Sequence, residues 1–286
     1  MKVLVTGSNG QLGWELERTR PETIDGLFAD RNDLDIADYE RVLEYTRKHR
    51  PDVIVNAAAY TAVDKAEEEP EKAFLVNEAG ARNIALAAKE IGARVIQIST
   101  DFVFDGKKST PYTPEDEPNP INVYGKSKLA GEKAVLELLP EQSIVLRTAW
   151  LYSSHGHNFV KTMLRLMKEK DEIKVVCDQI GTPTWARGLA EVVWKFCKRG
   201  DLSGIYHWTD GGVASWYDFA VAVKEFGSEF NLLPKDGFVL AVGSIDFISL
   251  ANRPSFGLLD KSKTWLELEI VPNHWRVQLR HLLGKW

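Results

Sequence analysis

Thr100, Tyr124 and Lys128 are the residues whose types and spacing make chemistry possible in this chain. Tyr124-Gly125-Lys126-Ser127-Lys128 sets a phenol and an ammonium four residues apart, which is one face of a helix. Of the eight tyrosines, only Tyr124 has a lysine four positions on. Upstream, Ser99-Thr100-Asp101 closes the apolar run Val95-Ile96-Gln97-Ile98. A hydroxyl, a phenol and an ammonium are the set that can hand a proton to a carbonyl oxygen during hydride transfer. A free phenol titrates near pH ~10 and is a reluctant acid at neutral pH. An ammonium about 6 Å away, at an effective dielectric of about 20, favours the phenolate by roughly 3 kcal/mol, or about two pKa units. Thr100 would supply a second hydrogen bond to the same carbonyl oxygen. Taken alone, the Tyr–Lys pair also fits an ordinary solvated pair opening a helix, and its weight comes from the other end of the chain.

That end reads Lys2-Val3-Leu4-Val5-Thr6-Gly7-Ser8-Asn9-Gly10-Gln11-Leu12-Gly13. A β-branched apolar run leads into three glycines spaced three apart, and Trp14-Glu15-Leu16-Glu17-Arg18 continues as a helix. Such glycines let the chain turn sharply and approach a pyrophosphate, while the new helix points its first N–H groups at the anion. The placement directly after a strand and at the start of a helix is what distinguishes a dinucleotide loop from a glycine turn of no consequence. No Gly-Lys-Ser/Thr follows, which argues against a phosphate-hydrolysing loop.

The elements that must position these groups alternate. Strand-like runs at Lys2–Thr6, Gly26–Asp30, Asp52–Asn56, Arg94–Ser99 and Ser143–Thr148 are separated by helical patterns at Trp14–Arg20, Asp38–His49, Pro70–Gly92 and Val123–Leu139. This predicts an α/β fold with a Rossmann-type, doubly wound parallel sheet. Ligands of such sheets lie at the carboxyl ends of the strands, which gathers Gly7–Gly13, Asp30, Asn56–Tyr60 and Ser99–Asp101 at one edge. The second half is less regular. Pro111, Pro114, Pro118 and Pro120 form a stiff loop before Tyr124. Helices are expected at Asn158–Lys170, Ala186–Lys198, Trp216–Phe226 (with Ser215 as N-cap) and Asn273–Gly284, and strands at Ile173–Asp178, Gly204–Trp208 and Phe238–Val242. The expected division is a nucleotide-binding Rossmann domain over 1–150 and a smaller, mainly substrate-binding lobe over 151–286, with some elements returning to the first domain.

Composition narrows the class. The chain has 286 residues, 44% of them hydrophobic, enough to bury a large core. A net charge of −5 leaves no basic footprint for nucleic acid. No apolar run reaches the ~18 residues of a membrane span, and the short run at residues 2–6 is no signal peptide. Cys177 and Cys197 show no metal-type spacing, so a reducing cytoplasm is the expected setting. His155-Gly156-His157 lies in a polar loop that reads as solvated or as part of the substrate cleft, and no metal site is expected.

Together, Thr6–Gly13, Thr100 and Tyr124…Lys128 resemble the extended short-chain dehydrogenase/reductase superfamily. Within it, four further segments are similar to the dTDP-4-dehydrorhamnose reductase family: Asn56–Glu67 (NAAAYTAVDKAE), Ser99–Gly106 (STDFVFDG), Arg147–Tyr152 (RTAWLY) and Asp178–Thr184 (DQIGTPT). The resemblance covers nearly the whole chain. It implies NAD(P)H-dependent reduction of the C4 ketone of dTDP-4-dehydro-6-deoxy-L-mannose. It also implies that Tyr124 protonates the new alkoxide, that Lys128 lowers the phenol's pKa and binds the nicotinamide ribose, and that Thr100 orients the ketone. Gly7, Gly10, Gln11, Leu12 and Gly13 would line the pyrophosphate. Asp30 would face the adenosine ribose, Asp35 and Ile36 the adenine, and Ala59, Tyr60 and Thr61 the rest of the cofactor cleft. Asp101 and Trp150 would contact the deoxysugar, and Arg253 the substrate diphosphate. Asp30 and Arg31 pull in opposite directions on cofactor choice: a carboxylate accepts the 2′-hydroxyl of NADH, whereas a guanidinium accommodates the 2′-phosphate of NADPH.

Three positions depart from the family pattern. Phe102 stands where Tyr is usual, Gly257 where Ser is usual, and Arg187 where metal-bridged dimeric members carry an acid, although the partner position Glu15 is kept. A cation at 187 would repel a divalent ion, so a mainly monomeric protein is expected, with a weak homodimer as the alternative. Two other classes share part of the pattern. A sugar-nucleotide dehydratase or epimerase shares the Tyr–Lys pair, but a dehydratase needs an acidic residue where Phe102 stands. A non-catalytic NAD(P)-binding regulatory subunit has no reason to hold Thr100, Tyr124 and Lys128 together.

Overall fold

The apolar runs Val3–Val5, Val53–Val55, Val95–Ile96 and Ile144–Leu146 are buried completely or nearly so, as strands covered on both faces must be. In the computed structural model, which describes residues 1–233, 237–247 and 249–286, these runs form the centre of one parallel sheet. The first half contains β1 (Lys2–Thr6), α1 (Gln11–Thr19), β2 (Asp25–Ala29), α2 (Tyr39–His49), β3 (Val53–Asn56), α3 (Val63–Glu68), α4 (Pro70–Phe74) and α5 (Gly80–Ile91). It continues with β4 (Arg94–Thr100), α6 (Val123–Leu138) and β5 (Ser143–Thr148). After these come β6 (Leu151–Tyr152), α7 (Phe159–Glu169), β7 (Glu172–Val176), β8 (Ile180–Gly181), β9 (Thr184–Trp185), α8 (Ala186–Cys197) and β10 (Gly204–His207). The chain ends with β11 (Ala214–Ser215), α9 (Trp216–Glu229), β12 (Phe238–Val242), α10 (Ser262–Leu268) and α11 (Trp275–Leu283).

The sheet order is β10-β5-β4-β3-β1-β2, with every pair parallel. The chain thus winds outward from β1 in both directions, as the Rossmann-type reading expects, and the crevice of such a sheet lies where the winding reverses. One face is covered by α1 and α8 through Leu12, Leu16, Leu189 and Val193, the other by α2, α5 and α6 through Val42, Ile84, Ala88 and Val135. The edge strand β10 comes from the second half and pairs with β5, Ile205 opposite Val145. A separate core of α7, β7, α9 and α11 packs around Met163, Ile173, Phe219 and Leu279. Caps fix the helices that matter most: Asn122 accepts from Gly125 N at 2.7 Å at the start of α6, and Ser215 and Asp218 form a reciprocal box at the start of α9.

One helix departs from expectation. The segment expected as a single helix over 70–92 consists of α4, a π-helical turn at Leu75–Ala79, and α5, with the separate short helix α3 in front of it. Periodicity could not show this, because an inserted π turn leaves the apolar repeat on either side intact. Among the described residues, no helix is long and apolar enough to cross a membrane.

Candidate active site at the carboxyl edge of the sheet

The nucleotide side is built by the first βα turn. Gly7 has φ +69°, and a Cβ there would stand 2.7 Å from the Ala58 backbone, so glycine alone lets β1 turn against the end of β3. A Cβ on Gly13 would strike the Gly7 carbonyl at 2.4 Å. Helix α1 then begins at Gly10 with no side-chain cap and no acidic residue in its first turn, which leaves its first N–H groups and its positive end for an anion. The donor set therefore fits a pyrophosphate. Leu12 itself points into the core, so it would serve through its backbone. Gln11 reaches the second half, where Asn158 Nδ2 donates to its Oε1 at 3.0 Å.

Asp30 closes β2 and organises its own loop, accepting from Asn32 N at 2.7 Å, Asp33 N at 3.1 Å and Asn9 Nδ2. Those bonds hold its carboxyl below the usual range. Arg31 is exposed and pairs with Asp35 at 3.3 Å. Ile36 is buried against Gly80, and its carbonyl accepts from Asn83 at 2.9 Å, so its side chain does not face a ligand. Ala59 and Tyr60 are half-buried and Thr61 is exposed. Tyr60 is held at both its N–H and C=O by Asn77, at 2.9 and 3.0 Å.

The proton-handling residues meet at the end of β4. Thr100 Oγ1 accepts from Phe102 N at 3.2 Å and donates to Asp101 Oδ1 at 2.9 Å. Tyr124 lies in the first turn of α6, and the Thr100 hydroxyl near its phenol acts to lower the phenol's pKa. A Cβ on Gly125 would lie 2.1 Å from the Phe102 carbonyl, so this glycine is what allows α6 to press against the 101–103 turn. Lys128 is buried, and its Nζ donates to the Ile98 carbonyl at 2.7 Å. Burial pushes Lys128 down to about 8, with the Glu132 carboxylate pulling the other way. The expected depression of the phenol is not found: burial raises Tyr124, the Thr100 hydrogen bond offsets part of this, and the Asp101 charge adds to it. Desolvation of the phenol outweighs the other contributions, and the Lys128 ammonium, bonded to the Ile98 carbonyl, is not among the groups that offset it. Burial also pushes Asp101 up to about 7.

Beside these residues opens a cavity of about 830 Å³ between the two halves, lined by Asp101, Phe102, Trp150, Trp216, Arg253 and Gly257 among others. Phe102 meets Tyr124 edge-on at 5.5 Å, so the phenol adjoins this wall. Trp150 sits at φ +47°, a backbone region that costs a non-glycine residue about 1–3 kcal/mol. Its ring stacks on Trp216 at 3.7 Å, which leaves only the remaining indole surface for a sugar. Arg253, expected at the substrate diphosphate, is already paired with Asp64 of α3, Nη2 to Oδ2 at 2.6 Å. His155 is not part of this wall; its ring stacks on Trp14, and Nε2 lies 3.0 Å from the Asn9 carbonyl.

Over residues 1–286 the sequence matches the family described as the RmlD substrate binding domain. The chain belongs to that family. It is 41% identical to the spore coat polysaccharide biosynthesis protein SpsK of Bacillus subtilis, across 99% of this chain and 96% of that one. It is 39% identical to the dTDP-4-dehydrorhamnose reductase of Escherichia coli K12, across 100% and 98%. Among solved structures, the dTDP-4-dehydrorhamnose reductase of Bacillus anthracis in complex with NADP superposes with a TM-score of 0.92 at 38% identity, covering 100% of this chain and 99% of that one.

Two of this RmlD-family member's departures acquire physical content. A Cβ at Gly257 would stand 2.5 Å from Asp101 Oδ2, so a serine would displace the carboxyl from the place it occupies. Arg187 turns to Glu191 at 3.2 Å, while Glu15 is buried and accepts from Ser153 Oγ at 2.8 Å. Among the described residues, no group of three or more His, Cys, Asp and Glu side chains is placed to hold a metal ion.

Residue-by-residue reading missed the supports under the site. Asn77, in the π turn, bonds Tyr60 on one side and Ser127 Oγ at 3.0 Å on the other, and Ser127 donates to the Tyr124 carbonyl at 2.8 Å. Glu132 and Arg147 form an ion pair at 2.7 Å with both side chains only 1% exposed, and Ser99 Oγ donates to the same carboxylate. The available signal was spacing: Glu132 lies one helical turn beyond Lys128.

Proposed function

We infer that this chain catalyses the NAD(P)H-dependent reduction of the C4 ketone of dTDP-4-dehydro-L-rhamnose, giving dTDP-L-rhamnose. The observation that carries this is the meeting of Thr100, Tyr124 and Lys128 at the carboxyl end of β4, next to the cavity wall of Asp101 and Phe102 and on the sheet edge that also carries the uncapped start of α1, in a chain 39% identical to a dTDP-4-dehydrorhamnose reductase over its whole length. The nicotinamide cofactor, when bound, supplies the hydride to C4. Gly7, Gly10 and Gly13, with the backbone of Gln11 and Leu12, hold the pyrophosphate. Asp30 takes the adenosine ribose, and the exposed Arg31, paired with Asp35, would have to turn from that partner to meet a 2′-phosphate. Ala59, Tyr60 and Thr61 continue that wall. Asp35 and the backbone of Ile36 flank the adenine.

Tyr124 gives its proton to the oxygen of the ketone as the alkoxide develops. Its raised pKa keeps it protonated at neutral pH, which is the form reduction requires. Thr100, whose single hydroxyl proton points to Asp101 in this structure, would turn it to the same oxygen to set its direction, and Lys128 would offer its ammonium to the cofactor ribose. Asp101 and Trp150 position the deoxysugar, and Arg253 the diphosphate. The reaction belongs to the cytoplasm, where reduced nicotinamide and sugar nucleotides are available. The cation at Arg187 supports a monomer, for which light scattering of the purified protein is the check.

The deciding experiment follows the loss of dihydronicotinamide absorbance with NADPH, and separately NADH, in the presence of dTDP-4-dehydrorhamnose. Consumption with dTDP-rhamnose as product is expected, and the ratio of the two rates reports how Asp30 and Arg31 divide the choice. Cofactor binding without consumption would overturn the assignment in favour of a non-catalytic binding protein or another sugar nucleotide. Trp150→Ala should act on the sugar, raising KM for the sugar nucleotide about tenfold, the scale of one aromatic contact, while KM for the cofactor stays put. Equal changes in both would remove Trp150 from the sugar site.

A further inference from the structure

Helix α3 has six residues, yet two of its carboxylates reach separate parts of the site. Asp64 takes up the segment 249–253: Oδ1 accepts from Ser249 Oγ at 2.9 Å, Ala251 N at 3.2 Å and Arg253 Nη1 at 3.2 Å, and Oδ2 accepts from Arg253 Nη2 at 2.6 Å. Ser249, Ala251, Asn252 and Arg253 all line the cavity. One turn on, Glu67 Oε1 accepts from Val123 N at 2.8 Å, one of the free donors at the start of α6. The circuit closes through Asn122, which caps α6 and whose Nδ2 donates to the Asn252 carbonyl at 2.7 Å. The cavity wall bearing Arg253 and the first turn bearing Tyr124 are therefore tied to the same short helix.

We propose that Asp64 is the positioning residue for Arg253, holding the guanidinium and the 249–253 wall in place to receive the diphosphate of the sugar nucleotide. This rests on the reading of Arg253 as the diphosphate ligand. Asp64 grips Arg253 through Nη1 and Nη2, and Nε makes no bond to any described residue, so the guanidinium keeps an edge for an anion. A carboxylate that merely competed with substrate for Arg253 would have no need of the Ala251 N–H and the Ser249 hydroxyl, which fix the wall itself. The hydrogen bond from Arg253, with those from Ala251 and Ser249, holds Asp64 down at about 2, so the grip persists at any pH at which the enzyme works. Ordering a free arginine on binding weakens affinity by up to about tenfold, and that is the size of the effect expected from losing the grip.

The test measures binding of dTDP, thymidine and NADP to the full chain by calorimetry, and steady-state kinetics with the sugar nucleotide. Asp64→Asn keeps shape and one acceptor but removes the charge. It should weaken dTDP about tenfold, leave thymidine and NADP unchanged, and show its kinetic loss in KM rather than kcat. Asp64→Glu should recover part of the loss. Unchanged or tighter dTDP binding in Asp64→Asn, with Arg253→Met still weakened, overturns the positioning role and leaves the diphosphate assignment standing. Unchanged dTDP binding in Arg253→Met overturns that assignment and the proposal with it. A loss shared equally by thymidine and NADP marks Asp64 as structural only and also overturns the proposal.

Discussion

Tyr124→Phe is expected to lower kcat by about 10²–10⁴-fold while NADPH binds as tightly as before. The range is the usual contribution of a positioned general acid. Phenylalanine removes only the phenolic oxygen: the ring keeps its edge contact with Phe102 and α6 keeps its cap at Asn122. The Thr100 hydroxyl retains its bond to Asp101 at 2.9 Å, so it stays oriented after the phenol is gone. The loss should therefore appear in turnover and not in cofactor affinity, and single-turnover kinetics with a fluorescence titration of NADPH separate the two. Near-wild-type turnover would remove the phenol from the proton-transfer step. A second donor to the developing alkoxide would then be required, and Asp101, raised to about 7 by burial, would be the candidate.

Glu132→Ala is expected to destabilise the fold by about 3–5 kcal/mol, the cost of leaving a buried charge without its partner. The Glu132 carboxylate accepts from Arg147 Nε at 3.0 and 3.2 Å and from Arg147 Nη2 at 2.7 Å, and both side chains are almost fully buried. The other neighbours of Arg147 are no substitute. His207 lies 3.5 Å away at Nε2, with burial and the arginine's charge pushing its pKa down to about 3, and Phe104 offers only its ring face at 5.0 Å. Thermal unfolding should move down by roughly ten degrees. Glu132→Leu combined with Arg147→Met should recover much of the loss, because an apolar pair of similar size carries no desolvation penalty. A drop below about 1 kcal/mol in the single variant would show that water reaches Arg147. The same change removes the anion that favours the Lys128 ammonium, so the Lys128 pKa should fall further from about 8.

The local rules of the chain made much of this molecule legible. Val3–Val5 and Val53–Val55 are apolar at every position, which only a strand covered on both faces tolerates, and both are buried in the sheet. The order of such strands with intervening helices dictates a parallel, doubly wound sheet, and its carboxyl edge gathers Gly7, Asp30 and Thr100 whatever lies between them. The spacing from Tyr124 to Lys128 needed only the helix period. These readings succeed because each depends on neighbours a few residues away.

What the sequence did not reveal depends on partners far apart in the chain. The π turn at Leu75–Ala79 packs closely on α6, where a Cβ on Gly131 would strike the Asn77 carbonyl; no periodicity within the segment encodes that approach. Lys128 donates to the Ile98 carbonyl, because burying an ammonium demands an acceptor, and burial is what raises the pKa of the Tyr124 phenol. Ile36 lies near the cofactor residues in sequence but turns inward to Gly80. Arg253 meets Asp64 across 189 residues. The sequence by itself determined most of the element types, the sheet class and which residues have the chemical types for catalysis, since these follow from side-chain period and type. Only the tertiary structure decided which of those side chains face a ligand and which are already paired, because hydrogen-bond and charge satisfaction is settled by three-dimensional neighbours.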